Sequence, residues 1–352
     1  MLAKYWQTTA DGRVQCDLCP RHCRLRDGQR GFCFVRQNLG GQLDLTTYGR
    51  SSGFCVDPIE KKPLNHVAAG AAVLSFGTAG CNLGCQFCQN WQISTARSVD
   101  VLADAASPSA IAGAALDTAC RGVAYTYNDP VIFPEYAIDV AQACREFGLL
   151  NIAVTAGYIN PAPRADFFAA MDAANVDLKS FNPDFYRQVV GGRLEVVQET
   201  LTYLVKETDV WVEVTTLLIP GYNDADAEVG ALADWIVDAL GPDVPWHVTA
   251  FHPDNRLRHV PPTPPASLNR ARQLGLAAGL HFVYTGNVRD LIGATTFCPS
   301  CDAGLIVRDG YALRRYDLGP DGGCSHCGQA IPGRWDETPG DFGDQRWPVA
   351  IS

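Results

Sequence analysis

Three cysteines, Cys81, Cys85 and Cys88, are spaced closely enough to bind one metal cluster. Their C-x3-C-x2-C pattern lets three thiolates converge on a single cubane iron–sulfur cluster, which ordinarily takes four cysteine ligands. Since no fourth cysteine follows nearby, one iron would stay open, and an open position is typical of a catalytic metal site. A zinc knuckle is the alternative. Zinc would require a fourth Cys or His, whereas Gly80 and Gly84 favour close approach of a ligand.

A second group of four cysteines lies near the N-terminus, at Cys16, Cys19, Cys23 and Cys33. The C-x2-C-x3-C-x9-C pattern is too dense for an ordinary core and indicates a metal site. It suits either a structural zinc ion or a fully ligated auxiliary 4Fe–4S cluster. Interleaved arginines either offset the negative charge of these thiolates or form a solvated basic face: Arg21, Arg24, Arg26 and Arg30.

A third group, Cys298, Cys301, Cys324 and Cys327, has the C-x2-C…C-x2-C spacing of a zinc ribbon. The residues between the two pairs include 305–311, which predict a strand, a turn and a strand. We therefore expect a small structural zinc module, with rubredoxin-type iron as the alternative because it uses the same spacing.

Alternating strand and helix patterns fill the middle of the chain and must position these cysteines. Strands are predicted at residues 73–78, 122–127, 150–156, 175–179, 210–219, 246–251 and 281–285. Helices are predicted to begin at Ser107-Pro108 and Pro134 and to span about 227–240. This alternation predicts a parallel sheet with right-handed crossovers, in an open or closed α/β barrel. The cysteine loop follows the first strand, at the end where parallel barrels place their chemistry.

Polar residues follow several of the later predicted strands. Asn128 and Asp129 come after the second strand, Asp177 and Lys179 share a face of the fourth, and His252 follows the sixth. A single residue of this kind is often only a cap. Together they predict a binding site on one rim of the sheet, opposite the cysteine loop.

Composition limits the remaining possibilities. The chain has 352 residues, 47% of them hydrophobic, which suits one large α/β domain with small appendages. A net charge of −10 argues against nucleic acid as a partner, and no run of 18 apolar residues predicts a membrane span. The N-terminal residues lack a signal-peptide pattern, so we expect a cytoplasmic protein. Residues 56–64 are an extended segment, equally compatible with a solvated linker and an active-site role, and residues 333–352 are expected to pack poorly.

Taken together, these motifs resemble the radical SAM enzymes of the AmmeMemoRadiSam system, which are relatives of the pyruvate formate-lyase activating enzyme. The resemblance rests on the three cysteine groups, residues 56–64, 125–130, 176–179 and 217–224, and covers nearly the whole chain. It implies an α/β fold, a partial (β/α)6 barrel at 71–296. A Cys-rich N-terminal module and connector would precede it at 1–70, and a zinc-ribbon-like module and tail would follow at 297–352.

The resemblance also implies cofactors, site residues and partners. A 4Fe–4S cluster on Cys81, Cys85 and Cys88 would bind S-adenosylmethionine (SAM) and cleave it reductively to a 5′-deoxyadenosyl radical. The residues expected at the SAM site are Phe87, Asn128, Asp129, Asp177, Lys179 and His252. The expected partners are the two companion proteins of the system and an electron donor such as ferredoxin or flavodoxin.

Two alternative functions remain open. A glycyl-radical-enzyme activating enzyme, which abstracts hydrogen from a glycine of a partner, would use the same barrel. A zinc-ribbon scaffold or RNA binder with an inert barrel is the other alternative, although the acidic charge opposes it.

Overall fold

The computed structural model describes residues 1–98, 102 and 104–351. Its strands are β1 (Trp6–Thr8), β2 (Val14–Cys16), β3 (Arg24–Leu25), β4 (Arg36–Leu39), β5 (Gln42–Leu45), β6 (Arg50–Ser51), β7 (Phe54–Pro58), β8 (Ala72–Phe76), β9 (Asp104–Ala105), β10 (Gly122–Tyr125), β11 (Leu150–Thr155), β12 (Ala173–Asp177), β13 (Trp211–Leu218), β14 (Trp246–Ala250), β15 (Val283–Gly286), β16 (Thr296–Phe297), β17 (Gly304–Asp309), β18 (Ala312–Tyr316) and β19 (Trp347–Val349). Its α-helices are α1 (Trp91–Ser94), α2 (Pro108–Asp117), α3 (Pro134–Arg145), α4 (Pro161–Phe168), α5 (Pro183–Phe185), α6 (Leu194–Glu207), α7 (Asp226–Leu240) and α8 (Pro265–Ala277). The described residues also include 3-10 turns at Ile59–Lys61 and Pro130–Ile132 and a π-helical segment at Tyr186–Val190.

A nine-stranded sheet forms the centre of the molecule, in the order β15-β14-β13-β12-β11-β10-β8-β7-β19. The strands from β8 to β15 in this sheet all pair in parallel, and each new strand adds beside the previous one. Because β15 and β19 end the series at opposite edges, the sheet is open. The predicted α/β architecture is therefore confirmed, and each predicted strand overlaps one of the parallel strands.

Local signals determine where several helices begin. Ser107 precedes α2, and its Oγ accepts a hydrogen bond from the Ala110 N–H at 3.2 Å, with Pro108 in the first turn. Pro134 likewise stands in the first turn of α3, and Gly148 follows that helix with a φ of +67°. Both predicted helix starts are confirmed.

Residues 54–58 form β7, which pairs antiparallel with β8 and extends the parallel sheet. A 3-10 turn follows, and Asp57 and Lys62 are both buried. The interpretation of residues 56–64 as a solvated linker is therefore wrong. Strand β19 pairs antiparallel with β7, joining Trp347 to Val56, so residues 347–349 form the edge of the central sheet. The sequence did not predict this pairing, because it is made by backbone groups while the side chains of β19 are mostly exposed.

A buried ion pair anchors the N-terminal region to the barrel. The Arg36 guanidinium, on β4, donates from Nη2 to both carboxylate oxygens of Glu135 on α3, at 2.9 and 2.6 Å. Both side chains are 1% exposed. The other guanidinium nitrogens of Arg36 also donate hydrogen bonds, Nε to the Ile132 carbonyl and Nη1 to the Lys4 carbonyl. The ion pair thus holds the region that carries the first four cysteines against helix α3.

The main core lies between the sheet and its helices. Phe76 packs against Tyr125, Phe133 and Tyr136, with ring centroids 5.5 to 6.2 Å apart. Among the described helices, none has the length and apolar character needed to cross a membrane. The cytoplasmic location stays a prediction.

Candidate active site and metal centres

The three-cysteine loop leaves β8 at the carboxyl edge of the parallel sheet. Burial raises the pKa of Cys81 well above its ordinary value and that of Cys85 to about 12, so both are neutral thiols unless a metal centre binds them. Besides burial and Asp129, the neighbouring thiols Cys85 and Cys88 contribute to the raised pKa of Cys81, so the three side chains lie near one another. Cys88 Sγ also lies 3.1 Å from Ser94 Oγ.

Asn128 fixes the turn that leads into this loop. Its buried side-chain amide donates to the Gly80 carbonyl at 2.9 Å and to Thr78 Oγ1 at 3.1 Å. Its Oδ1 accepts from the Thr78 N–H at 3.0 Å. Both ends of the amide are therefore used within the protein. Asn128 positions the backbone before Cys81, and direct contact with SAM stays a prediction.

Two further segments support the loop from its other side. Gly84 N–H donates to the Val190 carbonyl at 2.8 Å, and Gln86 N–H donates to the Val189 carbonyl at 2.9 Å, in the π-helical segment. Single turns of π-helix often mark functional sites, because they re-aim backbone groups. The loop after β14 contributes Asn255 and Arg256, which donate to the carbonyls of Cys85 and Gln86. Sequence reasoning missed both supports, since neither has a local signature.

Asp177 and Lys179 are brought together beside the cysteines. Lys179 Nζ donates to Asp177 Oδ2 at 2.8 Å and stands 5.9 Å from the ring centroid of Phe87. Burial opposes the positive charge, but Asp177 and Cys85 together raise the pKa of Lys179 above its ordinary value. The Asp177 side chain is 36% exposed, so its second oxygen can accept a ligand donor. Phe87 itself is buried against Phe185.

The other two expected SAM contacts have different surroundings. Asp129 is buried, and its oxygens accept from Thr155 Oγ1 at 2.6 Å and from the Ala156 N–H at 3.2 Å. Its carboxylate also caps the 3-10 turn that follows it. His252 is exposed, on the loop that carries Asn255. These environments indicate a structural role for Asp129 and an accessible one for His252, and their contacts with SAM stay predictions.

The C-terminal cysteines form a compact four-thiol group. Cys298 and Cys327 have sulfurs 3.6 Å apart, and those of Cys301 and Cys324 are 3.8 Å apart. All four sulfurs lie within 4.8 Å of one another. Four thiolates around one ion at a metal–sulfur distance of about 2.3 Å would be separated by about 3.8 Å, so this group fits a single tetrahedral ion. The hairpin of β17 and β18 confirms the predicted strand, turn and strand between the two pairs.

A buried polar network surrounds Asp57 on β7. Asp57 accepts from Lys61 Nζ at 2.6 Å, from Lys62 Nζ at 2.7 Å and from the Tyr127 hydroxyl at 2.8 Å. Although burial alone raises it, the two lysines hold the pKa of Asp57 below its ordinary value. Burial lowers the pKa of Lys62 to about 8, against the opposing effect of Asp57.

A polar cavity of about 520 Å³ opens between β14, β15 and the C-terminal module. Its lining includes Glu60, His247, Thr249, Arg289 and Arg308. Glu60 Oε2 and Arg308 Nε are buried and have no hydrogen-bond partner among the described residues. Arg308 Nε lies 3.5 Å from Glu60 Oε1, so the two side chains form a buried ion pair in the cavity wall. A cavity of this volume suits a small-molecule ligand, and the charged pair in its wall indicates a polar one.

The parallel sheet and the three-cysteine loop at its carboxyl edge define a class of α/β proteins that bind an iron–sulfur cluster. The chain belongs to the radical SAM superfamily, whose family model matches residues 76–233. Membership implies SAM and a 4Fe–4S cluster as cofactors and an enzyme with radical chemistry.

Several individual proteins are similar to this chain. An uncharacterized protein of Methanocaldococcus jannaschii is 39% identical over 330 residues, which cover 94% of this chain and 98% of that protein. An isethionate sulfite-lyase activating enzyme of Oleidesulfovibrio alaskensis is 22% identical over 227 residues, covering 62% of this chain and 70% of that one. The crystal structure of a radical SAM methyltransferase from Sphaerobacter thermophilus is 18% identical, with a TM-score of 0.49, covering 61% of this chain and 66% of that chain.

The central cysteines fit the cofactors that the family implies. Three partly buried thiols on one loop would hold three irons of a cubane and leave the fourth iron for SAM. The backbone of the loop is already held by Asn128, Asn255 and the π-helical segment, so the ligands are positioned before the cluster binds.

Proposed function

We propose that this chain reductively cleaves SAM at a 4Fe–4S cluster held by Cys81, Cys85 and Cys88. The bound cluster supplies the electron that breaks the bond between sulfur and C5′ of SAM, giving methionine and a 5′-deoxyadenosyl radical. The observation that carries the proposal is the partly buried three-thiol loop beside the Asp177–Lys179 pair. The accessible carboxylate of Asp177 would bind a donor group of SAM, and the surrounding barrel would exclude water from the radical.

The test is anaerobic reconstitution of the full chain with iron and sulfide, followed by incubation with SAM and dithionite. We expect 5′-deoxyadenosine from the wild type and none from Cys81→Ala, Cys85→Ala or Cys88→Ala. Cys120→Ala is a matched control, because Cys120 is also buried but follows α2, away from the loop. Wild-type production by any of the three loop variants would overturn the assignment.

The substrate is proposed to bind in the polar cavity beside β14 and β15. Its support is the buried Glu60–Arg308 ion pair in the cavity wall, in which Glu60 Oε2 accepts no hydrogen bond from the described residues and would accept one from a ligand. Val288 lines the cavity, and Val288→Trp would fill part of it. With extract from cells grown in deuterated water as the substrate source, the wild type should produce deuterated 5′-deoxyadenosine. Val288→Trp should cleave SAM without deuterium transfer, while Leu116→Trp, on exposed α2 surface, should behave like the wild type.

The proposed partners are the two companion proteins of the AmmeMemoRadiSam system, with ferredoxin or flavodoxin as the electron donor. The support is the set of motifs that resembles this system across nearly the whole chain. Adding both companion proteins should raise the yield of a substrate-derived product in the deuterium assay. An unchanged yield would count against a shared reaction.

A second candidate function is activation of a glycyl radical enzyme. Its support is the similarity to an isethionate sulfite-lyase activating enzyme over 227 residues. A partner protein should then acquire a glycyl radical, visible as an electron paramagnetic resonance doublet, when incubated with the reduced chain and SAM. Deuterium transfer from a small molecule in the absence of any such partner would favour the first candidate.

A further inference from the structure

The four N-terminal cysteines enclose a small cavity of their own. Cys16, Cys19, Cys23 and Cys33 all line it, together with Gly31. A Cβ added to Gly31 would lie 3.8 Å from both Cys23 Sγ and Cys33 Sγ. The backbone at Gly31 therefore lies beside two of the sulfurs, and a large side chain at this position would occupy part of the cavity.

The spacing of these four sulfurs differs from that of the C-terminal group. Among the described residues, the C-terminal cysteines are the only set of three or more Cys, His, Asp or Glu whose ligand atoms all lie within 4.8 Å of one another. The N-terminal quartet surrounds its cavity at a wider spacing. Four thiolates on one zinc must approach to about 3.8 Å, given a zinc–sulfur distance of about 2.3 Å.

A wider quartet is what a cubane cluster requires. In a 4Fe–4S cluster each thiolate binds a different iron at its own corner of the cube, so the sulfurs stand farther apart than around a single ion. The sulfurs of Cys81, Cys85 and Cys88 are also too far apart to lie within 4.8 Å of one another. The N-terminal quartet thus resembles the cluster-binding trio in its spacing, and differs from the compact C-terminal group.

The quartet is built directly against the central cysteine loop. Gly80, which precedes Cys81, is in contact with the carbonyl group of Cys33, and a Cβ at Gly80 would lie 2.9 Å from that carbonyl carbon. The Arg21 guanidinium, from the quartet loop, donates to the carbonyls of Asn82 and Gly191. Asn82 also lines the N-terminal cavity. The two cysteine sites therefore share a wall.

We propose that Cys16, Cys19, Cys23 and Cys33 bind an auxiliary 4Fe–4S cluster that passes electrons to the central cluster. Four thiolates occupy all four irons, so this cluster has no position for SAM. A low-potential one-electron donor reduces it from the 2+ to the 1+ state. This cluster would pass the electron to the central cluster and on to the SAM sulfonium, whose bond to C5′ would break to give methionine and a 5′-deoxyadenosyl radical, and both clusters would return to the 2+ state. The metal assignment is independent of the proposed function, whereas the relay rests on it.

Metal analysis of the full chain tests the assignment. After anaerobic reconstitution we expect about eight irons and one zinc per chain in the wild type. The triple variant Cys81→Ala, Cys85→Ala, Cys88→Ala leaves the quartet intact and should keep about four irons. Its reduced cluster should give a paramagnetic resonance spectrum that SAM does not change. About two zincs and no iron in the triple variant would overturn the metal assignment, whether or not SAM cleavage occurs in the wild type.

The relay is tested in Cys23→Ser, which changes the most accessible of the four ligands. Rapid-freeze measurement should show at least tenfold slower reduction of the central cluster by a flavodoxin-class donor, with SAM binding retained. Cys120→Ser, at a buried cysteine that follows α2 and belongs to none of the three groups, should leave that rate unchanged. An unchanged rate in Cys23→Ser would overturn the relay. If Cys23→Ser does not fold, the same rate is measured in Arg21→Gln, which keeps all four thiols and loosens the shared wall. A wild-type rate in that variant would overturn the relay as well.

Discussion

Gly80 lies where the N-terminal quartet meets the central cysteine loop, and its replacement gives a sharp test of this interface. Its φ is +77°, a left-handed conformation that costs a residue with a Cβ about 1 to 2 kcal/mol. An added Cβ would also overlap the carbonyl oxygen of Cys33 and lie 3.3 Å from the Phe34 Cβ. The neighbouring atoms belong to backbone or to a Cβ, so they cannot rotate away as the end of a long side chain would. We therefore expect Gly80→Ala to reduce the free energy of unfolding by at least about 2 kcal/mol.

The loss should extend to the cofactor, because Gly80 immediately precedes the ligand Cys81. Urea unfolding under anaerobic conditions measures the stability, and iron content with 5′-deoxyadenosine yield measures the site. Gly84→Ala is the matched control in the same loop, since its Cβ would meet Phe32 Cζ at an ordinary 3.6 Å. We expect Gly84→Ala to stay within about 0.5 kcal/mol of the wild type. Equal stability and equal iron content in the two variants would refute the close packing of the two cysteine sites.

Three further predictions follow from buried polar groups. Asn128→Ala removes the amide that holds the Gly80 carbonyl, so central iron content should fall at least twofold by metal analysis, while the C-terminal zinc is retained. Glu135→Gln leaves Arg36 buried without its carboxylate, and urea unfolding should show a loss of about 3 kcal/mol. Burial lowers the pKa of His66 to about 4, so the unfolded chain binds the extra proton first and stability should fall as the pH drops from about 6.5 to about 4. The loss should reach about 3 kcal/mol at pH 4 and be absent in His66→Gln, measured as unfolding free energy against pH.

Much of the fold could be predicted because its signals are local. Each parallel strand is an apolar run between helix caps or breaks, as in β10, which ends before the polar residues 126–129. Ser107 and Pro134 carry helix starts within three residues of chain. Once strands and helices alternate, right-handed crossovers leave few arrangements of the sheet. The spacings of the three cysteine groups are equally local. Of these groups, the structure brings the four C-terminal sulfurs within 4.8 Å of one another, and the metals of the other two groups stay predictions.

The polar network around Asp57 could not be predicted in the same way. Its partners include Tyr127, which is 70 residues away, and Arg346, whose Nε lies 3.7 Å from the carboxylate. A charged residue between prolines has the same sequence pattern in a solvated loop and in a buried network. What decides between them is the chain packed over it, here β7 beside β8 and β19 beside β7. The contacts that bury Asp57 therefore come from residues up to nearly 300 positions away in the chain.

The arginines of the N-terminal region illustrate the same distinction. Arg24 and Arg26, interleaved with the cysteines, are exposed, as a solvated basic face requires. Arg36, three residues beyond the last cysteine, is the buried guanidinium beside the quartet. Burial raises the pKa of Cys16 and Cys33, and the charge of Arg36 opposes that rise. Sequence spacing left open which arginines offset thiolate charge and which form a solvated face, because distance along the chain does not measure burial. Arg21, for example, lines the cavity of the quartet.

The metal of the N-terminal quartet was left open by the sequence for a related reason. Zinc and a 4Fe–4S cluster both accept Cys-x2-Cys pairs, so the local pattern is the same for either. They differ in how far apart the remaining thiolates are held, and that separation depends on the whole fold around Gly31 and Cys33. In this chain the compact C-terminal group serves as an internal reference, since the same polypeptide builds one quartet at single-ion spacing and another at a wider spacing. The wider spacing, placed against Gly80, is the physical reason for assigning the N-terminal site to an iron–sulfur cluster.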